Sequence, residues 1–288
     1  MTIRGRLERG VPMSKLTTWR VGGPASFVVW PADAEELISV LRRCRERGLR
    51  TLVLGLGSNV LAPDEGWEGV VVITTLLRQA EWRDNVVRAG AGCSLAALAG
   101  EAARRSLSGL EFACGIPGTL GGAVVMNAGA YGSDMSGLVA RAQIWTPESG
   151  CQERSGSELG FSYRRSTLQT CGRLVTEVTL SLRPGEPAAV RRVMDDYRER
   201  RRQTQPRAVP SAGSVFRNPP GDYAGRLIEQ AGWKKRRIGG AEVSASNANF
   251  IVNRGEATAA DITALIAAVR ADVERRFRVR LETEIKIL

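Results

Sequence analysis

The 288-residue chain contains no histidine. That absence removes Ser-His-Asp and Cys-His nucleophile pairs, His-ligated zinc and any imidazole acid or base. Proton chemistry must then fall to Ser, Glu, Asp, Tyr, Lys, Cys or Arg, or be delegated to a cofactor. Lysine is scarce as well. Only Lys15, Lys234, Lys235 and Lys286 are present, and the other 37 cations are arginine, for a net charge of +11. Arginine forks onto phosphates and carboxylates, so the excess fits either an anionic ligand or nucleic acid, or plain ion-pair networks. The five cysteines, at 44, 93, 114, 151 and 171, form no C-x-x-C pair, which argues for a reducing compartment and against a disulfide framework. No apolar run approaches the ~18 residues of a membrane span. The start, MTIRGRLERG, lacks the apolar stretch of a signal peptide.

What is present alternates between strand and helix signals, and with 43% apolar residues the chain can fill ordinary cores. Phe27-Val28-Val29-Trp30 reads as a strand. Asp33 with Glu36 three residues later predicts a capping box for a helix carrying Ala34, Leu37, Ile38, Leu41 and Cys44, stopped by Gly48. Thr51-Leu52-Val53-Leu54 and residues 70–73 read as buried strands. Residues 86–89 are strand-like, and Ser94 caps a helix with Leu95, Leu98 and Ala102. Residues 115–132 contain six glycines and predict no regular element. Residues 142–145 and the alternating Leu174, Thr176, Val178, Leu180 and Leu182 predict further strands. A helix is expected over about 188–203, with Val190, Val193, Met194 and Tyr197 on one face and arginines on the other. Thr258 with Asp261 predicts a second capping box, opening a helix striped by Ile262, Leu265, Ile266, Val269, Val273 and Phe277. A terminal strand over 281–288 closes an α+β architecture of three small lobes.

Several short motifs admit two readings each. Gly55-Leu56-Gly57-Ser58-Asn59 follows a buried strand, and can bring backbone N–H groups and a hydroxyl against phosphate, or simply turn the chain. It is not the G-x-G-x-x-G dinucleotide fingerprint. The glycine-rich stretch 115–132 is apolar rather than Ser-rich, which suits backbone lying against a large flat or phosphorylated ligand, or a tight structural crossing. Phe161-Ser162-Tyr163-Arg164-Arg165-Ser166 offers an arginine fork for a carboxylate, or surface charge. Ser214, among small residues in Ser211-Ala212-Gly213-Ser214-Val215-Phe216-Arg217-Asn218-Pro219, is an accessible proton donor or a turn serine. Trp233-Lys234-Lys235-Arg236-Arg237 fits a diphosphate or a solvated charge run. Glu282 and Glu284 alternate on the expected last strand, where a part-buried carboxyl can serve as an acid.

Their order and spacing together resemble the UDP-N-acetylenolpyruvoylglucosamine reductase family, flavoenzymes of peptidoglycan precursor synthesis. Further matching segments are Thr18-Trp19-Arg20-Val21-Gly22-Gly23, Ile238-Gly239-Gly240-Ala241-Glu242-Val243, Asn249-Phe250-Ile251-Val252-Asn253 and Glu282-Thr283-Glu284-Ile285. The resemblance spans nearly the whole chain. It implies two lobes, 1–74 and 75–196, forming a vanillyl-alcohol-oxidase-like FAD-binding fold. A third, substrate-binding α+β lobe, 197–288, would cover the flavin and hold the UDP-sugar.

The resemblance also implies roles. FAD would be bound non-covalently by Gly55, Gly57, Ser58, Asn59, Gly115, Ile116, Pro117, Gly118, Gly121, Gly122, Asn127 and Gly129. NADPH would reduce it and leave. Hydride would then pass from flavin N5 to C3 of UDP-N-acetylglucosamine enolpyruvate, and a proton from Ser214 to C2, giving UDP-N-acetylmuramate. Arg164 would grip the substrate carboxylate, Glu284 would stand at the same site, and Tyr163, Arg202, Asn218, Lys234 and Asn247 would bind the UDP-sugar. No metal, nucleic acid or membrane insertion is expected, and the enzyme would be a cytoplasmic monomer. The sequence departs from the family in three places. Asn247 stands where the short form usually has histidine, the chain stops at Leu288 without the usual following glycine, and no long insertion carries a substrate-covering tyrosine. The missing insertion points to the short form. The rivals are an oxidase of the same fold with FAD tethered through cysteine, and a basic nucleic-acid-binding protein.

Overall fold

The computed structural model describes residues 3–170 and 172–288, so Cys171 lies outside the described residues. The chain divides into two compact units. The first comprises Met1–Glu8, Val28–Leu56 and Gly69–Arg200, and the second Arg9–Phe27, Gly57–Glu68 and Arg201–Leu288. Each has its own apolar core. Six α-helices occur among the described residues: α1 Ala34–Glu46, α2 Leu95–Arg104, α3 Leu120–Val125, α4 Pro187–Thr204, α5 Ala224–Gln230 and α6 Ala259–Phe277.

Thr51–Leu54 runs parallel to Trp67–Ile73 in a four-stranded sheet ordered Arg6–Pro12, Pro24–Trp30, Trp67–Ile73, Thr51–Leu54. α1 starts at Asp33, whose side chain accepts the Glu36 N–H. The expected capping box does not close. The Glu36 carboxylate, almost fully buried, instead accepts the N–H groups of Ala32, Arg4 and Gly5. Three orphan donors outcompete the single N–H of the cap residue.

An antiparallel sheet follows, in the order Gly150–Ser155, Val139–Thr146, Leu174–Ser181, Val86–Gly90, Ala80–Arg83. The expected strand at 142–145 is therefore eight residues long. α2 is capped by Ser94 as the sequence indicated. Leu95, Leu98, Leu120 and Val124 from α2 and α3 join Val87, Ala89, Val178 and Leu180 in one core.

α3 contradicts the expectation that 115–132 holds no regular element. Thr119 caps it, and Leu120, Gly121, Ala123 and Val124 are buried. Burial of that apolar face outweighs the poor helix propensity of two glycines.

The second unit is built on a small sheet, Arg237–Ile238, Ala241–Val243, Ile251–Asn253, with α5 and α6. α6 carries the predicted capping box, Thr258 with Asp261. Asp64 adds a second clamp, accepting the N–H groups of Ala259 at 2.7 Å and Ala260 at 2.9 Å. Trp19, fully buried, donates its indole N–H to the Ile251 carbonyl, and Asn253 donates to the Trp19 carbonyl. The segment 281–288 is not one strand. Only Lys286–Ile287 is regular, parallel to Val60–Leu61, while Thr283 bridges Phe216. The extended chain changes partners midway, so no single ladder forms.

Candidate functional site

Within the first unit the glycine-rich stretch is laced to the end of the strand Val86–Gly90. Leu120 and Gly121 donate their N–H groups to Cys93 and Ala91, each at 2.8 Å, and Leu95 donates to Gly118. Close packing explains two glycines: a Cβ at Gly55 would lie 2.2 Å from the Thr119 hydroxyl, and one at Gly121 2.8 Å from the Ala91 methyl. Gly122 is different. It is exposed, and a Cβ there would meet nothing nearer than 3.6 Å, so interior packing does not require glycine at 122. With Pro117 exposed and Gly115, Ile116 and Gly118 part-exposed, the start of α3 presents a strip nearly free of bulky side chains. A short helix start bare of side chains suits a phosphate-bearing cofactor whose backbone contacts must be close.

Asn127 lies at the far end of that stretch and is 1% exposed. Its side chain donates to Asp134 and to the Ser162 carbonyl, and accepts the Ser136 N–H. Its amide thus braces the unit's interior. The Ser162 carbonyl it holds opens the turn that carries Arg164. Ser162 and Arg165 exchange both backbone hydrogen bonds at 3.0 Å. Arg164, at the turn, has φ +56. Its guanidinium donates to the Gly129 carbonyl at 2.7 Å, and its own carbonyl accepts from Gln169. Its Cζ lies 5.1 Å from the Tyr163 ring centroid, and Tyr163 is half-exposed. One side of the arginine fork is therefore fixed by backbone, the arrangement needed to aim it at a carboxylate.

Within the second unit, residues 214–217 run between two partners. On one side Glu284 donates its N–H to the Val215 carbonyl at 2.8 Å, and Arg217 donates to the Glu282 carbonyl at 2.9 Å. On the other, Val215 donates to the Asn249 carbonyl at 2.8 Å. The Asn249 side chain accepts the Phe216 N–H and donates to the Phe216 carbonyl. Ser214 and Glu284 are both part-exposed and stand either side of one Val215 hydrogen bond. Asn59 joins them: its side chain donates to the Glu284 carbonyl at 3.2 Å, and its own carbonyl accepts the Lys286 N–H. Gly57 is held against Leu16, where a Cβ would lie 2.1 Å from the carbonyl oxygen, and Ser58 is part-exposed.

The remaining sequence candidates are more dispersed in their local roles. Asn218 is exposed, and its side chain accepts the Ala224 N–H at the start of α5. Lys234 pairs with Glu229 at 2.6 Å. Elsewhere in that charge run Arg237 pairs with Glu242 and Arg236 lies over Trp233. Asn247 closes a turn by accepting the Asn249 N–H. Arg202 is exposed on the last turn of α4. Asn249, Gln169 and Asp134 carry no individual role in the sequence reading, yet they hold Ser214 and Arg164 in place. Only a side-chain amide bonded to backbone 33 residues away betrays Asn249, and no local pattern encodes that. Among the described residues no cluster of metal-ligating side chains occurs, and no helix is long and apolar enough to cross a membrane.

Comparison with known proteins gives the arrangement a context. Residues 25–150 match the family described as FAD binding domain, and residues 205–288 match UDP-N-acetylenolpyruvoylglucosamine reductase, C-terminal domain. UDP-N-acetylenolpyruvoylglucosamine reductase 2 of Symbiobacterium thermophilum is 50% identical, covering 98% of this chain and 92% of that protein. The reductase of Heliobacterium modesticaldum is 47% identical, covering 99% and 91%. The crystal structure of the Thermus caldophilus reductase superposes with a TM-score of 0.85 at 37% identity, covering 98% of this chain and 99% of that one.

Proposed function

The chain belongs to the UDP-N-acetylenolpyruvoylglucosamine reductase family, and on that premise we propose how its own residues carry the reaction. It is an FAD-dependent UDP-N-acetylmuramate dehydrogenase of peptidoglycan precursor synthesis, and NADPH is its reductant. We assign residues 1–74 and 75–196 to the FAD-binding lobes and 197–288 to the substrate lobe.

The FAD would be held by Gly55, Gly57, Ser58, Asn59, Gly115, Ile116, Pro117, Gly118, Gly121, Gly122, Asn127 and Gly129. The bare, exposed start of α3 supports that reading. When bound, FAD would supply two-electron hydride chemistry, with NADPH as reductant and C3 of the enolpyruvyl group as acceptor. Arg164 grips the substrate carboxylate and stabilises the charge that develops there, which a fixed guanidinium does best where water is excluded. Glu284 serves the same carboxylate end, and helps only when it carries or shares a proton, since an ionised carboxylate would repel that charge. The Ser214 hydroxyl donates the proton to C2. A serine is a weak acid, but an enediolate carbon is a strong base, and Arg164 lowers the cost of reaching it. Tyr163, Arg202, Asn218, Lys234 and Asn247 bind the UDP-sugar of UDP-N-acetylglucosamine enolpyruvate. The enzyme works as a monomer in the cytoplasm, where NADPH is at hand.

The observation that carries this reading is the Val215 ladder, which sets Ser214 and Glu284 in fixed register from two distant parts of the sequence. The test is stopped-flow kinetics of the two half-reactions in Ser214→Ala. Reduction of the flavin by NADPH should match wild type. Reoxidation by the enolpyruvyl substrate should slow by at least ~100-fold, the usual range for losing a positioned proton donor. Equal slowing of both halves would make Ser214 a structural residue and end the proposal.

A further inference from the structure

The 214–217 segment is held on one edge by a strand-like partner, residues 282–284, and on the other by a single residue. That residue is Asn249. Its carbonyl accepts the Val215 N–H at 2.8 Å, its Oδ1 accepts the Phe216 N–H at 2.9 Å, and its Nδ2 donates to the Phe216 carbonyl at 2.8 Å. A primary amide carries the same donor and acceptor as a peptide group, so the side chain completes a ladder where no backbone strand runs. Phe216 is 2% exposed and Asn249 6%, so water does not compete for these groups. Asn249 is itself fixed: its N–H donates to the Asn247 side chain.

We propose that Asn249 is a positioning residue for proton transfer, which holds Ser214 in register with Glu284 through the peptide groups of Val215 and Phe216. This rests on the reading of Ser214 as the proton donor. Asparagine alone meets the demand. Aspartate keeps the acceptor for the Phe216 N–H but faces the Phe216 carbonyl with an oxygen. Leucine, of similar size, leaves both buried groups of Phe216 unpaired, and an unpaired buried group is costly. Ser214 is next in the chain to the first of the pinned residues, so slack there passes directly to the hydroxyl. Misplacement of a reacting group by ~1 Å is enough to cost about 100-fold in rate.

The experiment is a double-mutant cycle on the FAD-loaded enzyme, read in each half-reaction with NADPH and with the enolpyruvyl substrate. Asn249→Ala should reduce as wild type with NADPH and reoxidise at least ~10-fold more slowly. Introduced into Ser214→Ala, it should slow reoxidation by less than about twofold more, because coupled residues are non-additive. Amide hydrogen exchange of residues 212–218 should rise in Asn249→Ala with no comparable rise over α3. If Asn249→Ala does not bind FAD, Asn249→Asp is measured in the same cycle, with the same expectations. Full additivity in the double variant, or equal slowing of both half-reactions, overturns the proposal while leaving the role of Ser214 intact. Normal reoxidation in Ser214→Ala alone overturns the donor reading itself, and the positioning role with it.

Discussion

Arg164 occupies a backbone conformation that L-residues avoid, at φ +56. Holding arginine there costs about 1 kcal/mol relative to glycine. The compensation is local: the paired Ser162 and Arg165 hydrogen bonds, the Gln169 bond to its carbonyl, and the Gly129 carbonyl on its guanidinium. A tight turn thus presents a long cation whose near end cannot swing. Arg164→Gly separates strain from function. Thermal melting should show no loss of stability, because glycine relieves the turn, while reoxidation by substrate falls about 100- to 1,000-fold, the range for losing one preorganised stabilising donor. Arg164→Lys should recover little, since an ammonium cannot keep one donor on Gly129 and fork onto a carboxylate. A melting temperature that drops as far as the rate would make Arg164 a structural residue. The sequence singled out this arginine, and its carboxylate role came from resemblance. The turn that fixes it was hidden, because Asn127 and Gly129 reach it from another part of the chain.

Helices were legible where their caps lie within one turn. Thr258 with Asp261 opened α6 as expected, and Ser94 opened α2. Elements that depend on distant partners were not. Glu36 left its capping box for three donors outside the helix, α3 formed through burial despite its glycines, and 281–288 split between two partners.

The strand Ala241–Val243 shows the same dependence electrostatically. Glu242 at its centre is 2% exposed, and it accepts from Arg237 on the neighbouring strand and from Arg254. Burial by itself pushes its pKa up, but the hydrogen bonds from Arg254 and Arg237 together outweigh burial and hold it below its ordinary 4.5. The folded state therefore binds fewer protons than the unfolded one. The stability this gives is full above about pH 4.5 and is lost as pH falls through the folded value. Glu242→Gln should be less stable by about 2 kcal/mol at pH 7, discounted from a fully buried pair because both arginines reach solvent. The gap should narrow at a pH below about 4.5, as wild-type Glu242 takes up a proton on falling through its lowered folded value. Urea unfolding at both pH values measures it, and a gap that widens with acid would reverse the sign.

At the scale of the whole molecule, the proposed chemical roles divide as the cores do. The first unit holds the α3 strip and Arg164, and the second holds Ser214, Glu284 and Asn59. Many arginines pair with neighbouring carboxylates, as Arg104 and Arg105 do with Glu101 and Arg275 and Arg276 with Asp272. The missing histidine bears on how FAD is held. Without imidazole, a covalent tether would have to use cysteine or tyrosine. Cys44 and Cys93 are buried, and burial raises both thiols above their ordinary pKa, which leaves them protonated and poorly nucleophilic. Cys114 adjoins the glycine-rich stretch, but its thiol donates to the Met194 carbonyl at 3.6 Å. Cys151 is exposed on the edge strand Gly150–Ser155, away from that stretch in sequence. On the strength of these four described cysteines, the purified enzyme should be yellow, and heat or acid should move all of its flavin into the supernatant. The denatured chain should then have the mass of its amino-acid sequence alone. A mass increment equal to FAD would establish a covalent tether, and peptide mapping would look for it first at Cys114.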